Sequence, residues 1–354
     1  MKFFRVGLLI ACLFSAIQMG HAESVSGLYN TVVGIEAQSD AQLRKAAREG
    51  LATVFVRVSG HRSVLNHAEI KQALRSARTY LKQFSYQTDE KEGVSHLSVV
   101  LEFEEALVTK VLRRGGLPIW SADRPTVLVW LVLDDGDSKQ LANPEAYQDL
   151  IEQMRSHARR RGLALKLPLM DLEDNLALSA EQLWQLSSLA IAQASQRYQP
   201  DSILIGKLSR LTSGQWLGQW QYRFADRKIA FDGAADDLNE FIADGFDEVA
   251  NLQSDVYAIV PVKTSSDGVI IELTNINGFA DYARAVTYLE SLAAVEHANL
   301  MYLQGDQLIV RLVAEGQLKQ LENAIALGKK LKQQTVSIHK DYPVALSYQW
   351  LGNH

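Results

Sequence analysis

The chain has 354 residues, 47% hydrophobic and 22% charged, which is too long for one ordinary core and fits about two or three packed units. With 41 Asp and Glu against 36 Lys and Arg its formal charge is −5, and a net-acidic chain is a poor general nucleic-acid binder. The one cysteine is Cys12, so no intramolecular disulfide staples the fold and stability must come from packing.

Lys2 and Arg5 precede an apolar run over residues 6–17, and Gly20-His21-Ala22 has the small-x-small pattern that a signal peptidase reads. Residues 1–22 are therefore expected to be a cleaved signal peptide, leaving a periplasmic chain that starts near Glu23. Leu9-Ile10-Ala11-Cys12 superficially matches a lipoprotein box, but Leu13 and Phe14 continue the apolar run beyond it. A membrane span needs about 20 apolar residues. Gln18 interrupts this run and no later stretch is long enough, so no stable membrane insertion is expected.

Residues 23–120 read as a small α+β domain. A strand over 28–35 is followed by Ser39-Asp40, a helix start, and by Leu43, Ala46, Ala47, Gly50, Leu51, Val54 and Val58 at helical spacing up to Gly60. Residues 54–58 alone would read as a strand. Asn66 with Glu69 predicts the cap of a second helix with the stripe Ile70, Ala73, Leu74, Ala77, Leu81 and Phe84. Strands near Tyr86 and over 94–103 flank a turn at 90–93, and a third helix over 104–114 stops at Gly115-Gly116.

A polar, Pro-containing segment at 120–125 separates this block from an α/β domain over 125–260. Its expected elements are a buried strand at 126–133, a helix from Asn143-Pro144 to Gly162, a strand at 163–170, and one helix from Ser179 through Leu183, Leu186, Ala190 and Ala194. A central strand at 202–206 leads to an aromatic hairpin carrying Trp216, Trp220, Tyr222 and Phe224 on one face, and a helix over 236–252 closes the unit. After a loop at 261–268, residues 268–354 follow the ferredoxin-like order βαββαβ, with strands at 269–274, 298–304, 307–313 and 335–339 and helices at 278–294 and 317–332. Leu346, Tyr348 and Trp350 alternate as an extra edge strand.

Asp134, Asp135 and Asp137 follow a buried strand, where an α/β protein can hold Mg²⁺ or Ca²⁺, but they lack calcium-loop spacing and also read as an Asp/Gly turn. His61 and His67, near Arg62, offer paired ligands or an acid/base pair, against a capped loop. Trp216 and Trp220 lie about 13 Å apart along one strand face, so one is expected in the core and the other nearer an edge, where it could stack on a glycan or meet a partner. Arg155, Arg159, Arg160 and Arg161 end a helix, where they suit its dipole or an anionic surface. Gly206-Lys207 lacks the earlier glycine of a P-loop, and no nucleophile elbow or zinc signature is present, so no cofactor is implied.

The run from Ala47-Arg48-Glu49-Gly50-Leu51 to Arg57-Val58-Ser59-Gly60, the piece Tyr198-Gln199-Pro200-Asp201 through Gly206, the Trp216/Trp220 hairpin and the leader together resemble the bacterial envelope family called domain of unknown function 2066, over most of residues 24–260. The middle block resembles, more distantly, the amino-terminal domain of the TolB translocation protein and the periplasmic lipoproteins that activate penicillin-binding proteins. The resemblance implies a non-enzymatic accessory protein that binds another envelope protein during envelope assembly or maintenance. Two alternatives stand beside it: a metal-dependent cell-wall hydrolase using Asp134, Asp135 and Asp137, and a glycan-binding module using Trp216 and Trp220. Arg159, Arg160 and Arg161 join the tryptophans as partner-binding candidates.

Overall fold

A computed structural model describes residues 25–91, 94–261, 268–292, 294–314, 316–336 and 341–352. The leader, residues 92–93 of the 90–93 turn and residues 262–267 of the 261–268 loop lie outside the described residues. Among those described, three sheets and ten α-helices make a mixed α/β and α+β protein.

The first sheet, ordered β1-β3-β2, is built from β1 (Asn30–Gly34), β2 (Leu81–Lys91) and β3 (Val94–Phe103). Helices α1 (Asp40–Ser59), α2 (Ala68–Arg75) and α3 (Glu105–Arg114) complete the unit. Ser39 caps α1 by accepting from the Gln42 amide, and Gly60 ends it at φ +87°. The β-branched run at 54–58 stays helical because Val54, Phe55 and Val58 are buried against the sheet residues Val99, Leu101 and Phe103, and tertiary packing outweighs the small propensity penalty. The second helix differs from expectation. His67 caps it in place of Asn66, and it stops at Arg75. Leu81 and Phe84 belong to β2, opposite Phe103 and Leu101. An irregularity in register between Leu81 and Gln83 lets residues with a helical spacing serve a strand.

The second sheet runs β5-β4-β7-β8-β9, with β6 also on β4. Its strands are β4 (Thr126–Asp134), β5 (Lys139–Leu141), β6 (Ala164–Lys166), β7 (Ser202–Arg210), β8 (Trp216–Phe224) and β9 (Arg227–Ala235). Its helices are α4 (Gln148–Arg161), α5 (Leu172–Ala177), α6 (Ala180–Trp184), α7 (Ser188–Gln196) and α8 (Leu238–Tyr257). Strand β4 is covered on both faces. Val127, Val129, Leu131 and Leu133 share a core with residues of α4 and α8. Leu128, Trp130 and Val132 share another with Leu183, Ile191 and Ala194 of α6 and α7.

Three expectations change in this unit. The 163–170 strand shrinks to the three residues of β6, and α4 starts at Gln148 after a turn in which Asn143 Oδ1 accepts from the Ala146 amide at 2.7 Å. The single helix from Ser179 is two. Leu186 sits at φ +55°, its amide bonds to Leu183 and the Ser187 amide to Gln182, the pattern of a Schellman stop. Leucine in that left-handed position costs roughly 1–2 kcal/mol, and nothing in its side chain announces the break.

The third sheet is ordered β11-β12-β10-β14-β13. It contains β10 (Val269–Thr274), β11 (Val295–Gln304), β12 (Gln307–Ala314), β13 (Leu331–Gln334) and β14 (Leu346–Trp350), with α9 (Phe279–Ser291) and α10 (Leu318–Leu327). The last strand is not at the edge. Strand β14 lies between β10, to which it is parallel, and β13, to which it is antiparallel. It can occupy an interior position because Leu346, Tyr348 and Trp350 all enter the core that the helices cover. The strand expected at 335–339 is β13, earlier in the chain; residues 337–340 lie outside the described residues.

Candidate functional site

Helix α5 buries a carboxylate and exposes two leucines. Asp171 caps it by accepting from the Asp174 amide, and Asp174 then turns inward while Glu173 and Asn175 stay exposed. Asp174 is 1% exposed and accepts from the Met170 amide at 2.8 Å, the Tyr198 hydroxyl at 2.6 Å and Arg197 at 3.2 Å. Arg197 also forks onto both oxygens of Asp171, at 2.8 and 3.0 Å. That guanidinium, helped by the Asp174 amide, holds the Asp171 carboxyl down to about 2. Burial first, and Asp174 second, push the Tyr198 phenol up to about 12. With Asp174 held inside, leucines nearby face out: Leu169 is 65% exposed, Leu172 75%, Leu176 79%, and Leu189 on the neighbouring α7 70%. Leu172 and Leu176 are four apart and share one helix face. Arg197 at the end of α7 bonds Asp171 at the start of α5, which joins the two helices.

The residues singled out in the sequence do not converge. Asp134 Oδ1 accepts from the Gly136 amide at 3.0 Å, and Asp135 Oδ1 from the Asp137 and Ser138 amides at 3.0 and 2.9 Å. The Ser138 amide, then that of Asp137, holds the Asp135 carboxyl below its ordinary value. The cluster is the turn between β4 and β5, and no group of three or more His, Cys, Asp or Glu among the described residues could hold a metal. His61 Nε2 lies 3.0 Å from Asp255 Oδ1 on α8, and His67 Nδ1 accepts from the Glu69 amide at 3.3 Å. Both line a groove of ≈ 370 Å³ with Val64 and Leu117, and each is spent on a structural contact.

Trp220 is core and cannot meet a glycan or partner. It is 1% exposed and stacks on Phe241, ring centroids 5.0 Å apart at 21°. Glycines make room for the indole: a Cβ at Gly245 would come within 2.4 Å of it. Trp216 is half-buried against the same core. Tyr222 is buried and its hydroxyl accepts from Gln253 Nε2 at 3.0 Å, while Phe224 stacks on Tyr222 with centroids 6.3 Å apart.

Arg161 is also removed from the candidate surface. It is buried where α1 and α4 end together, and donates to Asp247 at 2.8 Å, to the Gly60 carbonyl at 2.6 Å and to Asn251 at 3.0 Å. Arg57 and Arg124 lie in the same junction and contact main-chain oxygens. Arg57 donates to the carbonyls of Gly27, Leu28, Asn30 and Arg160; Arg124 donates to those of Arg57, Trp120, Ser121, Arg161 and Gly162. Arg124 lies 3.7 Å over the Trp120 ring, and a Cβ at Gly162 would come within 2.5 Å of its Nη1. Burial lowers the Arg57 pKa to about 10, still charged at neutral pH. Two helix carboxyl ends supply the partial negative charge these cations need. Arg159 and Arg160 stay exposed, Arg159 bonded to Glu152 at 2.7 Å.

Sequence reasoning missed the leucine face. Asp171 with Asp174 three residues on, and Leu172 with Leu176, are a cap and a helical spacing that could have revealed α5. Which side turns inward was not readable, because it depends on Arg197 and Tyr198, which follow α7.

Residues 22–121 match the family described as a domain of unknown function (DUF8605). This overturns the expected resemblance to domain of unknown function 2066: the matching family is a different one and covers the first unit alone. Nothing supports the likeness to TolB or to the penicillin-binding-protein activators. No curated protein matches the chain. One solved structure, described as "Crystal structure of uncharacterized protein", is 10% identical, with 37% of this chain and 97% of that chain covered, and its TM-score of 0.16 carries no argument. No helix among the described residues is long and apolar enough to cross a membrane.

Proposed function

We propose that this is a non-enzymatic periplasmic accessory protein that holds another envelope protein through the leucine face of α5 and α7. The single observation that supports it is the setting of α5, which buries the Asp174 carboxylate and exposes Leu172 and Leu176 at 75% and 79%. Exposed apolar patches in a secreted chain invite aggregation unless a partner covers them, and an apolar face on ordered helices is a common form of protein recognition. The periplasmic location rests on the leader.

The test is purification of full-length protein from envelope fractions beside a Leu172→Asp/Leu176→Asp variant. Both positions are solvent-facing, so the variant is expected to keep its melting temperature. The reading predicts one identified envelope protein that accompanies the native chain and is lost with the variant. Equal recovery with both would refute it.

A further inference from the structure

Strand β9 ends one side of the second sheet, and β8 is its one strand neighbour among the described residues. The two pair residue for residue, from Arg227 opposite Phe224 to Ala235 opposite Trp216, without a bulge. A two-residue turn joins them, with Ala225 at φ +48°, so Phe224 and Arg227 form the hydrogen-bonded pair that closes the hairpin. Alternation from there turns the main-chain N–H and C=O of Lys228, Ala230, Asp232 and Ala234 away from β8. All four residues are exposed and no proline interrupts the strand, so this regular edge of nine residues is a template for another strand. Lys228 and Asp232 stand on the same face of it. Among the described residues neither forms an ion pair: Lys228 Nζ donates to Ser188 Oγ at 3.2 Å, and Asp232 Oδ1 accepts from Gln219 Nε2 at 3.1 Å.

We infer that β9 pairs with β9 of a second copy of this chain, antiparallel about a two-fold axis at Ala230, so that two sheets join into one. The charge pattern selects both the occupant and the register. With Ala230 opposite its own copy, Lys228 of each chain lies opposite Asp232 of the other, which forms two cross-strand ion pairs at once. Moving the axis to Lys228 or Asp232 sets like charges against each other, and moving it to Ile229 or Phe231 puts Lys228 opposite alanine. The outward groups of Lys228, Ala230 and Asp232 then exchange about six main-chain hydrogen bonds with the copy. On the other face Ile229 and Phe231, both half-buried, become cross-strand neighbours. Because the contact is isologous, it closes at two chains and uses up the edge.

The test is sedimentation of the full chain, which should show a concentration-dependent dimer. Lys228→Glu sets like charges together at both symmetry-related places and should weaken the dimer about tenfold. Lys228→Glu/Asp232→Lys exchanges the two charges and should restore it. Ala230→Pro removes an outward N–H that β8 does not use and should abolish the dimer with the far-ultraviolet circular dichroism unchanged. In a Cys12→Ser chain, a short bismaleimide should join copies carrying Ala230→Cys, which meet at the axis, and not copies carrying Ala234→Cys, which lie about 27 Å apart. A monomer at every concentration, leaving the edge to a strand of another protein, would overturn the inference. So would a dimer that tolerates Lys228→Glu, no recovery on charge exchange, or equal crosslinking at 230 and 234. A dimer lost with Leu172→Asp/Leu176→Asp would also overturn it, by placing the contact between copies on the leucine face.

Discussion

The Tyr198 hydroxyl donates to Asp174 Oδ2 at 2.6 Å, tying the end of α7 to the inward face of α5. The same hydroxyl accepts from the Leu169 amide at 2.8 Å, so one side chain fixes both the start of the leucine face and the carboxylate beneath it.

Tyr198→Phe removes both contacts at no cost in ring volume. A hydrogen bond to a charged group is worth about 1.5–3 kcal/mol, and the loss should appear as a lower denaturant midpoint and faster amide exchange in residues 169–177. Unchanged exchange there would mean that α5 is held by other contacts.

The same knot makes α5 acid-sensitive. In an unfolded chain Asp171 titrates near about 3.9, whereas in the folded protein it is held down to about 2, chiefly by Arg197. A depressed folded value means that its stabilising contribution is complete above the unfolded value and is lost as pH falls through about 2. Amide exchange at 169–177 should therefore accelerate between about pH 4 and 2, and Asp171→Asn should flatten that dependence.

Trp220→Ala should cost about 3–5 kcal/mol, as expected when a filled core site is emptied. Trp216→Ala should cost a fraction of that, because its ring is only half-buried. Neither should change partner recovery, which separates the aromatic hairpin from the docking surface.

Arg124→Ala should destabilise by at least about 3 kcal/mol, since it leaves several buried carbonyls without donors. Arg124→Lys should recover little. A single ammonium cannot reproduce the fork that reaches Arg57, Trp120, Arg161 and Gly162 together. Chemical denaturation of the two variants checks both statements.

Much of the architecture was legible in the chain because alternation and capping are local signals. Ser39 before α1, the Ser179/Gln182 capping box and the two-faced β4 all read directly. What was not legible depended on distant partners: the left-handed stop at Leu186, the insertion of β14 between β10 and β13, and the passage of Leu81 and Phe84 from helix to strand. The burial of Arg161 and Trp220 was hidden for the same reason. Nothing near Arg161 or Trp220 in sequence tells that α8 covers them, and nothing near Asp174 tells that Arg197 and Tyr198 will draw it inward.

The central claim is that the outward leucines of α5 are covered by another protein in the envelope. It is tested most directly by placing a photocrosslinking amino acid at Leu172, Leu176 and, as an exposed control, Leu217 on β8 in the full-length chain, then irradiating intact cells. The account predicts crosslinks from positions 172 and 176 to the same envelope protein and none to it from 217. Equal labelling from all three positions, or no protein adduct from 172 and 176, would contradict it.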